Sequence, residues 1–414
     1  MKMKHFILKF TCVAIIVATN AFFSFAQCPK FGRLYDKIYQ IDSFEVTYTT
    51  VRQNYNKMDV FVPKGDNATR RPLLVMAHGG GFTAGNKNTD PAVNYLCKSF
   101  AQRGFVTASI QYRLTSAFNL IDSIIMMRTV LYAIHDAKAA VRFFVKDAAT
   151  QNQYKVDSNY IFLGGSSAGA VLSIHYAYLD DIDEVPAPLK DTVIANGGIE
   201  GNSGNPGHSS AVKAIIPLAG GINKTWWIGA NEEPALLVHG DKDRTVPYYF
   251  DQVYRLPPYN AFTLVTLFGS GSIDTALTNR GIPHQLKTYF NYDHTPWDTS
   301  FALRVEIDSI AREFIYPMIC NNFPLSTDEK IDFAFLNLYS GNNPGEIFVE
   351  SSLAQISSFE AYDISGRKIQ EIIFEYPNNI QRINTQEWPE GFYVFKFFTH
   401  DNLPIATKKV WLSK

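Results

Sequence analysis

The sequence has few cysteines, no long basic run and, after its first 26 residues, no long apolar run. Its 4 cysteines among 414 residues include no CxxC pair and no cysteine–histidine cluster at metal-binding spacing, so no structural zinc is predicted. The formal net charge of −1 gives no sign of a nucleic-acid surface. No later stretch is long and apolar enough to span a bilayer. We therefore expect a soluble mature protein without a cofactor, a metal or a nucleic-acid partner.

The first 26 residues have the pattern of a secretory signal. Three lysines precede an apolar stretch, and a small-x-small cleavage site ends at Ala26. A membrane anchor is the alternative, but the stretch is short and two polar residues interrupt it. A lipoprotein is less favoured because Gln27, directly before Cys28, is not small. The sequence predicts a signal peptide over 1–26 that is removed on export.

Three cysteines remain after that cleavage, and export makes a disulfide possible. Cys28 and Cys320 flank the large domain predicted below, so a bridge between them would join its ends. Cys97 lies in a helical pattern and is expected to be a small buried hydrophobic residue.

Residues 27–320 alternate short apolar runs with helical patterns. The runs that indicate strands are MDVFVP, PLLVMAHGG, VTASIQYR, YIFLGG, KAIIPLAGG, ALLVHG and LKTYF. Several are apolar throughout, as strands buried on both faces of a sheet should be. The helical patterns are PAVNYLCKSFAQRG, RTVLYAIHDAKAAVRFFVKDA, AGAVLSIHYAYL and SFALRVEIDSIAREFIYPMI. This alternation predicts an α/β domain whose mostly parallel sheet carries helices on both faces.

The composition changes after this domain. Residues 321–332 are polar and indicate a linker, and helical periodicity disappears from 333 to 414. The short runs EIFVE, SFEAYD, RKIQEIIF, IQRIN, FYVFKFF and ATKKVWL are separated by turn residues. That spacing predicts a small antiparallel β-sandwich as the C-terminal domain.

The first stretch that could carry chemistry is GGSSAGA, between the strand YIFLG and a helical pattern. It fits G-x-S-x-G with Ser167 at the centre, the pattern of a nucleophile presented on a sharp strand-to-helix turn. The flanking glycines must be small so that neighbouring chains can approach. A tight strand–helix contact without chemistry would also select small residues, so this stretch needs partners elsewhere in the chain.

A glycine-rich loop, AHGGGFTAG, follows the strand PLLVM. Backbone N–H groups of consecutive glycines can point at one oxygen, as a tetrahedral oxyanion requires. A flexible loop or a phosphate cradle are the alternatives, but no Gly-Lys-Ser/Thr or GxGxxG pattern is present. The loop precedes the serine, which is the position of the HGGG-type oxyanion loop of lipases and esterases.

An acid and a base follow the serine along the chain. The strand ALLVHG ends before Asp241 and Asp243, and a buried acid at a strand end can orient a histidine. His294 follows the last strand and is the better candidate base, because His284 would lie at the other end of that strand. His239 is expected to be structural, bonding backbone in the turn. The resulting order is Ser167, Asp243, His294.

With these marks, residues from about 45 to 318 resemble the secreted carboxylesterase and lipase-like branch of the α/β-hydrolase superfamily. The matching stretches are MDVFVP, HGGGF, SIQYRL, GGSSAGA, HGDKDRTVP and the His294 loop. The resemblance implies Ser167 as nucleophile, Asp243 as triad acid and His294 as base. It also implies an oxyanion hole formed by the backbone N–H groups of Gly80, Gly81 and Ala168.

The last 80 or so residues resemble the C-terminal sorting domain of the type IX secretion system. FEAYDISGRKIQ, EGFYVFKF and the closing TKKVWLSK carry this resemblance. It implies recognition by an outer-membrane translocon and a secreted or surface-attached protein. A carbohydrate-binding sandwich is the alternative that the aromatic strand FYVFKFF suggests, although such a strand is more often core.

These features predict a secreted serine esterase that acts through an acyl-enzyme, on acetyl or feruloyl esters of plant polysaccharide. A secreted peptidase of the prolyl-oligopeptidase type and a non-catalytic surface protein are the alternatives. Trp226, Trp227 and Trp297 could line an acyl pocket or pack in the core. The segments 199–210 and 248–281 could cap the site.

Overall fold

A computed structural model of the chain describes residues 37–51, 55–257, 259–262, 264–320, 336–340, 345–351, 355–363, 366–378, 380–398 and 404–412. The predicted signal peptide, Cys28 and the linker lie outside these residues. The chain divides into two compact units, Met1–Phe323 and Pro324–Lys414, and each is described by itself.

The large unit is built on an eight-stranded sheet with the order β1-β2-β4-β3-β5-β6-β8-β11. The strands of this unit are β1 (Gln40–Thr47), β2 (Lys57–Lys64), β3 (Arg71–Ala77), β4 (Val106–Ile110), β5 (Val156–Ser166), β6 (Ala214–Leu218), β7 (Gly221–Ile222), β8 (Ala235–Gly240), β9 (Phe250–Gln252), β10 (Thr266–Gly269) and β11 (His284–Tyr289). β2 pairs antiparallel with β1 and with β4, and every other neighbouring pair of the sheet is parallel. The predicted fold class, a mostly parallel α/β sheet, is confirmed.

The central strands are apolar along their whole length because both of their faces are covered. Every residue of β3, β4, β6 and β8 is buried. The helices of the unit are α1 (Pro91–Ala101), α2 (Ser123–Ala149), α3 (Ala168–Tyr178), α4 (Ala187–Ala195), α5 (Ser270–Arg280) and α6 (Phe301–Ile319). Such double coverage explains why these strands do not alternate between apolar and polar residues.

Helix α2 begins five residues earlier than the sequence pattern predicts. The pattern begins at Arg128, whereas the helix begins at Ser123. Asp122 caps it, since its carboxylate accepts hydrogen bonds from the N–H groups of Ile124 and Ile125, both at 2.9 Å. The additional residues bring two methionines into the wall of the site described below.

The parallel pairing brings four strand ends to one edge of the sheet. Ala77 at the end of β3 pairs with Gly165 of β5, and Gly240 at the end of β8 pairs with Tyr289 of β11. β6 lies between β5 and β8. The loops after β3, β5, β8 and β11 therefore start side by side, and these are the loops that carry the candidate site residues.

The segment between β8 and α5 forms a small antiparallel sheet together with β7. β10 pairs with β7 on one side and with β9 on the other. Neither β9 nor β10 was predicted from the sequence, because each is short and lies among turn residues. Helix α5 then returns the chain to the edge strand β11.

The small unit contains two antiparallel sheets. Its strands are β12 (Leu336–Ser340), β13 (Glu346–Ser351), β14 (Ile356–Asp363), β15 (Lys368–Asn378), β16 (Ile380–Asn384), β17 (Gly391–Phe398) and β18 (Pro404–Leu412). Their orders are β12-β13-β16 and β15-β14-β17-β18. Tyr393, Phe395 and Phe397 alternate along β17 and are buried with Phe359, so the aromatic strand is core.

Two further sequence predictions concern the membrane and the cysteines. None of the helices in the described ranges combines the length and apolarity that a membrane crossing needs. Cys97 is a free, buried cysteine, and burial raises the pKa of its thiol. Cys320 is disulfide-bonded; the predicted pairing with Cys28 stays a prediction, because Cys28 lies outside the described residues.

Candidate active site

Ser167 occupies the turn between β5 and α3. Its backbone angles are φ 53° and ψ −113°, a conformation that L-residues rarely adopt. The turn is held in part by a hydrogen bond of 2.8 Å from the Ser167 N–H to the carbonyl of Leu218, on the neighbouring strand β6. Such backbone strain costs about 1–3 kcal/mol, and it persists only where the surroundings enforce it.

The glycines of the motif let this turn lie against the end of β3. A Cβ on Gly169 would collide with the backbone carbonyl of Ala77, and a Cβ on Gly165 would collide with the backbone of Gly169. Any larger residue at either position would push the serine away from the sheet edge. The packing requirement and the presentation of Ser167 therefore have one physical origin.

His294 lies between the serine and an acid. Its Nε2 is 2.8 Å from the Oγ of Ser167, and its Nδ1 is 2.7 Å from the Oδ2 of Asp243. Because a carboxylate can only accept, Nδ1 carries the proton and donates it to Asp243. Nε2 is then free to accept the hydrogen of the serine hydroxyl. The fold thus brings together three residues that are up to 127 positions apart in the chain.

Asp243 is fully buried and accepts hydrogen bonds at both carboxylate oxygens. The N–H groups of Thr245 and Val246 donate to Oδ1, at 2.8 and 2.9 Å. Burial raises the pKa of Asp243, but hydrogen bonds from His239 and His294 outweigh it and hold the pKa well below its usual range. The carboxylate therefore stays charged at neutral pH.

His239 is a second partner of this acid, which the sequence did not indicate. Its Nε2 lies 3.1 Å from the Oδ2 of Asp243 and 3.1 Å from the carbonyl of Val246, and its Nδ1 lies 2.8 Å from the Oγ of Ser270. Since both groups near Nε2 are acceptors, Nε2 carries the proton and Nδ1 accepts from Ser270. His239 thus donates to the same carboxylate oxygen of Asp243 that His294 contacts.

His284 has a different acid partner. Its Nε2 is 3.2 Å from the Oδ1 of Asp274, and its Nδ1 bonds the carbonyl of Ile282 at 2.7 Å. It lies at the start of β11, whereas His294 follows the end of that strand. The sequence prediction that His284 is structural is consistent with these contacts.

The glycine loop is fixed by groups outside it. The N–H of Gly79 donates to the Oδ2 of Asp90 at 3.0 Å. The other carboxylate oxygen of Asp90, Oδ1, caps α1 by accepting from the first backbone N–H groups of that helix. The hydroxyl of Tyr112 donates to the carbonyl of His78 at 2.7 Å. Gly80 has φ 115°, and a Cβ there would collide with the carbonyl of Ala84, so this position requires glycine.

Three amides near the serine hydroxyl have no acceptor. Among the hydrogen bonds of the described residues, none is donated by the N–H of Gly80, Gly81 or Ala168. Ala168 is the first residue of α3, where the N–H has no intrahelical acceptor. Gly81 and Ala168 both line a cavity with Ser167, and Gly80 lines an adjoining cleft with Ser167 and His294.

Two families match the chain. The BD-FAE family matches residues 58–223, and the secretion system C-terminal sorting domain matches residues 343–412. The chain carries a BD-FAE domain followed by a secretion sorting domain. It is thus an esterase-like hydrolase with a sorting tail that directs it to type IX secretion. The resemblance to α/β-hydrolase esterases and the resemblance to the sorting domain, both predicted from sequence motifs, are confirmed.

The chain is also similar to solved structures of an esterase from Thermogutta terrifontis. Its esterase 2 phosphorylated by paraoxon is 21% identical and has a TM-score of 0.49, covering 67% of this chain and 94% of that one. The propionate-bound form is 20% identical, with the same TM-score and coverage. The native form is 21% identical with a TM-score of 0.45, covering 69% and 95%. No protein of curated function matches the sequence.

An apolar cavity of about 250 Å³ opens beside Ser167 in the large unit. Its lining residues are Gly81, Phe82, Leu120, Ser123, Ile124, Met126, Met127, Val130, Ser167, Ala168, Val171, His175, Pro186, Asn223, Thr245, Val246, Val253, Tyr254, Val265 and Leu267. The segment 248–281, named above as a candidate cap of the site, contributes four of these residues. None comes from the loop 199–210.

A second cleft of about 370 Å³ also adjoins Ser167. It is bounded by the glycine loop, His294 and the polar residues Thr89, Asp90 and Asp298. Burial raises the pKa of Asp298, and the nearby charge of Asp90 raises it further. The cleft is distinguished from the cavity by the residues His294, Asp90 and Asp298, which line it and do not line the cavity.

The three tryptophans do not line the cavity or the cleft. Trp297 is fully buried and its indole N–H points at the Oγ of Ser166, at 3.5 Å. Trp227 is buried against His175, and Trp226 is exposed. The interpretation of the tryptophans as an acyl pocket is not supported, because other side chains line the cavity.

Met126 and Met127 line the cavity but were not predicted as site residues from the sequence. The signal was present, because Asp122 precedes them near a run of apolar residues and an Asp in that position indicates the start of a helix.

The part of the chain that the structure describes contains no candidate metal-binding site. Across those ranges, no group of three or more His, Cys, Asp or Glu side chains is arranged to bind a metal ion.

Proposed function

We propose that this protein is a secreted serine carboxylesterase, which cleaves esters through an acyl-enzyme on Ser167. The observation that carries the proposal is the hydrogen-bonded series from Ser167 to His294 to Asp243, at 2.8 and 2.7 Å. A serine is a weak nucleophile unless an adjacent base takes its proton, and that base needs an orienting acid. The substrates proposed from sequence are acetyl and feruloyl esters of plant polysaccharide.

In the acylation half, Nε2 of His294 accepts the hydroxyl proton as Ser167 attacks the ester carbonyl. The negative charge that develops on the carbonyl oxygen is stabilised by the N–H groups of Gly80, Gly81 and Ala168. The imidazolium of His294 is stabilised by the adjacent carboxylate of Asp243. When the tetrahedral intermediate collapses, His294 returns its proton to the leaving alcohol, and the acyl group remains on Ser167.

In the deacylation half, a water molecule replaces the alcohol. His294 takes a proton from that water, which attacks the acyl carbonyl and regenerates a second oxyanion in the same place. Collapse of this intermediate releases the carboxylic acid and returns the proton to Ser167 Oγ. The acyl group would lie in the apolar cavity and the alcohol in the cleft, because both adjoin Ser167 and the cleft is the one that His294 lines, where the leaving alcohol takes up its proton.

A fluorophosphonate probe tests the proposal directly. The activated hydroxyl attacks phosphorus and expels fluoride, so the probe reports the nucleophile without assuming a substrate. We expect the full-length secreted protein to be labelled, and the label to be lost in Ser167→Ala. The matched control is Ser166→Ala, which removes the neighbouring buried serine hydroxyl and should leave labelling intact.

Two other outcomes correspond to the alternatives from the sequence. Folded wild-type protein that takes no label would favour a non-catalytic surface protein. Labelled protein that cleaves proline-containing peptides faster than esters would favour the peptidase. Either result would reject the esterase proposal.

His239 is expected to act as a positioning residue in this mechanism. A hydrogen bond to a charged group contributes about 1.5–3 kcal/mol, so we expect His239→Leu to lower kcat by about tenfold or more and to leave KM nearly unchanged. His239→Gln, which keeps an N–H donor near Asp243, should recover most of that loss. Rates are divided by the fraction of protein labelled with fluorophosphonate. Equal kcat per labelled site in His239→Leu and wild type would show that His239 serves folding alone.

A further inference from the structure

The apolar cavity runs along one face of helix α3, away from the serine. Ala168, Val171 and His175 are spaced three and four residues apart, so they lie on the same face of the helix and all line the cavity. Seven residues of α-helix span about 10 Å. The cavity therefore extends for about that distance beyond the point at which an acyl carbonyl would be bound.

The walls that face α3 are largely aliphatic, although the polar residues Ser123, Asn223, Thr245 and Tyr254 also line the cavity. Met126, Met127 and Val130 come from the first two turns of α2, and Val253 and Leu267 come from the segment between β8 and α5. Methionine side chains adapt to irregular shapes, and branched aliphatic side chains bury apolar surface without needing a polar partner. These walls fit a chain of methylene groups.

His175 lines this cavity from α3, and both of its ring nitrogens are occupied. Nδ1 is 2.8 Å from the carbonyl of Val171, so it donates, and Nε2 accepts from the backbone N–H of Asn223 at 3.2 Å. Burial lowers the pKa of His175 to about 4, so the ring is neutral at neutral pH. The end of the cavity therefore presents neither a charge nor a free imidazole nitrogen to a bound group.

The two acyl groups considered so far fit this space poorly. An acetyl group would leave most of a 250 Å³ cavity unfilled. A feruloyl group would bring a phenol hydroxyl and a methoxy group into a cavity whose walls are largely aliphatic. A polar group buried without a hydrogen-bond partner loses its hydration without compensation, which lowers binding.

We infer that the cavity selects unbranched aliphatic acyl chains of about six to eight carbons, a length that follows from about 1.2 Å per bond of an extended chain over about 10 Å. This inference rests on the proposed function, because it assigns the acyl side of the same site. The substrate class is then a medium-chain fatty acyl ester, with the alcohol in the cleft that His294 lines.

The test is a series of p-nitrophenyl esters from acetate to decanoate, together with the feruloyl ester, on the full-length protein. Each methylene buried in the cavity should raise kcat/KM by about fourfold, up to hexanoate or octanoate. Decanoate should be cleaved more slowly because its end cannot be accommodated. A preference for acetate or for the feruloyl ester over hexanoate would overturn the inference.

Val130 is the position at which the cavity can be filled. Val130→Phe should lower kcat/KM for octanoate by about 50-fold, the value for three methylenes, and leave acetate within about threefold of wild type. The matched control is Val145→Phe, the same substitution on the same helix at a partly buried position outside the cavity wall. It should leave the chain-length profile unchanged. An equal loss on all esters in Val130→Phe would contradict the inference.

A second variant covers the case in which Val130→Phe does not fold. Val130→Ala enlarges the cavity and should move the optimum towards longer chains, the opposite direction. An unchanged chain-length optimum in Val130→Ala would also contradict the inference that this cavity sets the acyl preference.

Failure of the proposed function gives a different result. In that case no ester is cleaved, Ser167 takes no fluorophosphonate label, and the inference is rejected together with the proposed function. A labelled enzyme with a different acyl preference would reject the inference alone.

Discussion

Replacing Ser167 with alanine should lower ester turnover by about 10⁴–10⁶-fold, to the rate that binding and the oxyanion amides alone can support. The physical reason is that no other hydroxyl occupies the strained turn beside Nε2 of His294. Alanine has nearly the volume of serine, and the side chain carries no hydrogen bond that the fold requires besides the one to His294. We expect a variant that folds like wild type, which thermal unfolding checks.

The matched control for this loss is Ser166→Ala. Ser166 is one residue away and buried, but its hydroxyl faces the indole of Trp297, not His294. Turnover of hexanoyl and acetyl esters by this variant should remain within about threefold of wild type. Comparable losses in both variants, or near-normal turnover in Ser167→Ala, would reject Ser167 as the nucleophile.

The second large effect is expected for Asp243→Asn, with a fall in kcat of about 10⁴-fold. The carboxylate accepts from Nδ1 of His294 at 2.7 Å and thereby keeps the proton on that nitrogen and leaves Nε2 as the base. An amide group can donate to Nδ1, which would move the ring proton to Nε2 and block proton transfer from Ser167. The neutral amide also cannot stabilise the imidazolium that forms during acylation.

Asp274→Asn separates this effect from a general loss of an acid–histidine pair. Asp274 bonds Nε2 of His284 at 3.2 Å, as Asp243 bonds His294, but that pair has no contact with Ser167. We expect its kcat to stay within about threefold of wild type. Pre-steady-state bursts with p-nitrophenyl esters would locate the step that Asp243→Asn slows. A kcat for Asp243→Asn that matches that of Asp274→Asn would exclude Asp243 as the orienting acid.

The second contact of Asp243 bears on how firmly the base is held. His239 donates to the same carboxylate oxygen that His294 uses, and two backbone amides donate to the other. With both oxygens occupied, rotation of the carboxylate would break several hydrogen bonds at once. The arrangement keeps His294 in one orientation before substrate binds, which is the preorganisation that proton transfer benefits from.

Much of the fold could be predicted from the sequence because its signals are local. Apolar runs such as PLLVM and ALLVHG predict buried parallel strands, and the structure has them as β3 and β8. The short strands β9 and β10 and the first turns of α2 were not predicted. They depend on contacts with distant segments, and a few residues of apolar sequence are compatible with several local structures.

By itself, the sequence determined the fold class, the sorting domain and the residues that compose the candidate site. These three predictions follow from the ends of the strands, the spacing of the glycines and the order of Ser167, Asp243 and His294 along the chain. All of these features are visible in a linear sequence. Only the tertiary structure decided which groups meet. The second donor to Asp243 and the aliphatic cavity beside Ser167 depend on side chains from α2, α3 and the segment after β8 converging in space. Such convergence follows from packing across the whole unit, and no stretch of the sequence encodes it alone.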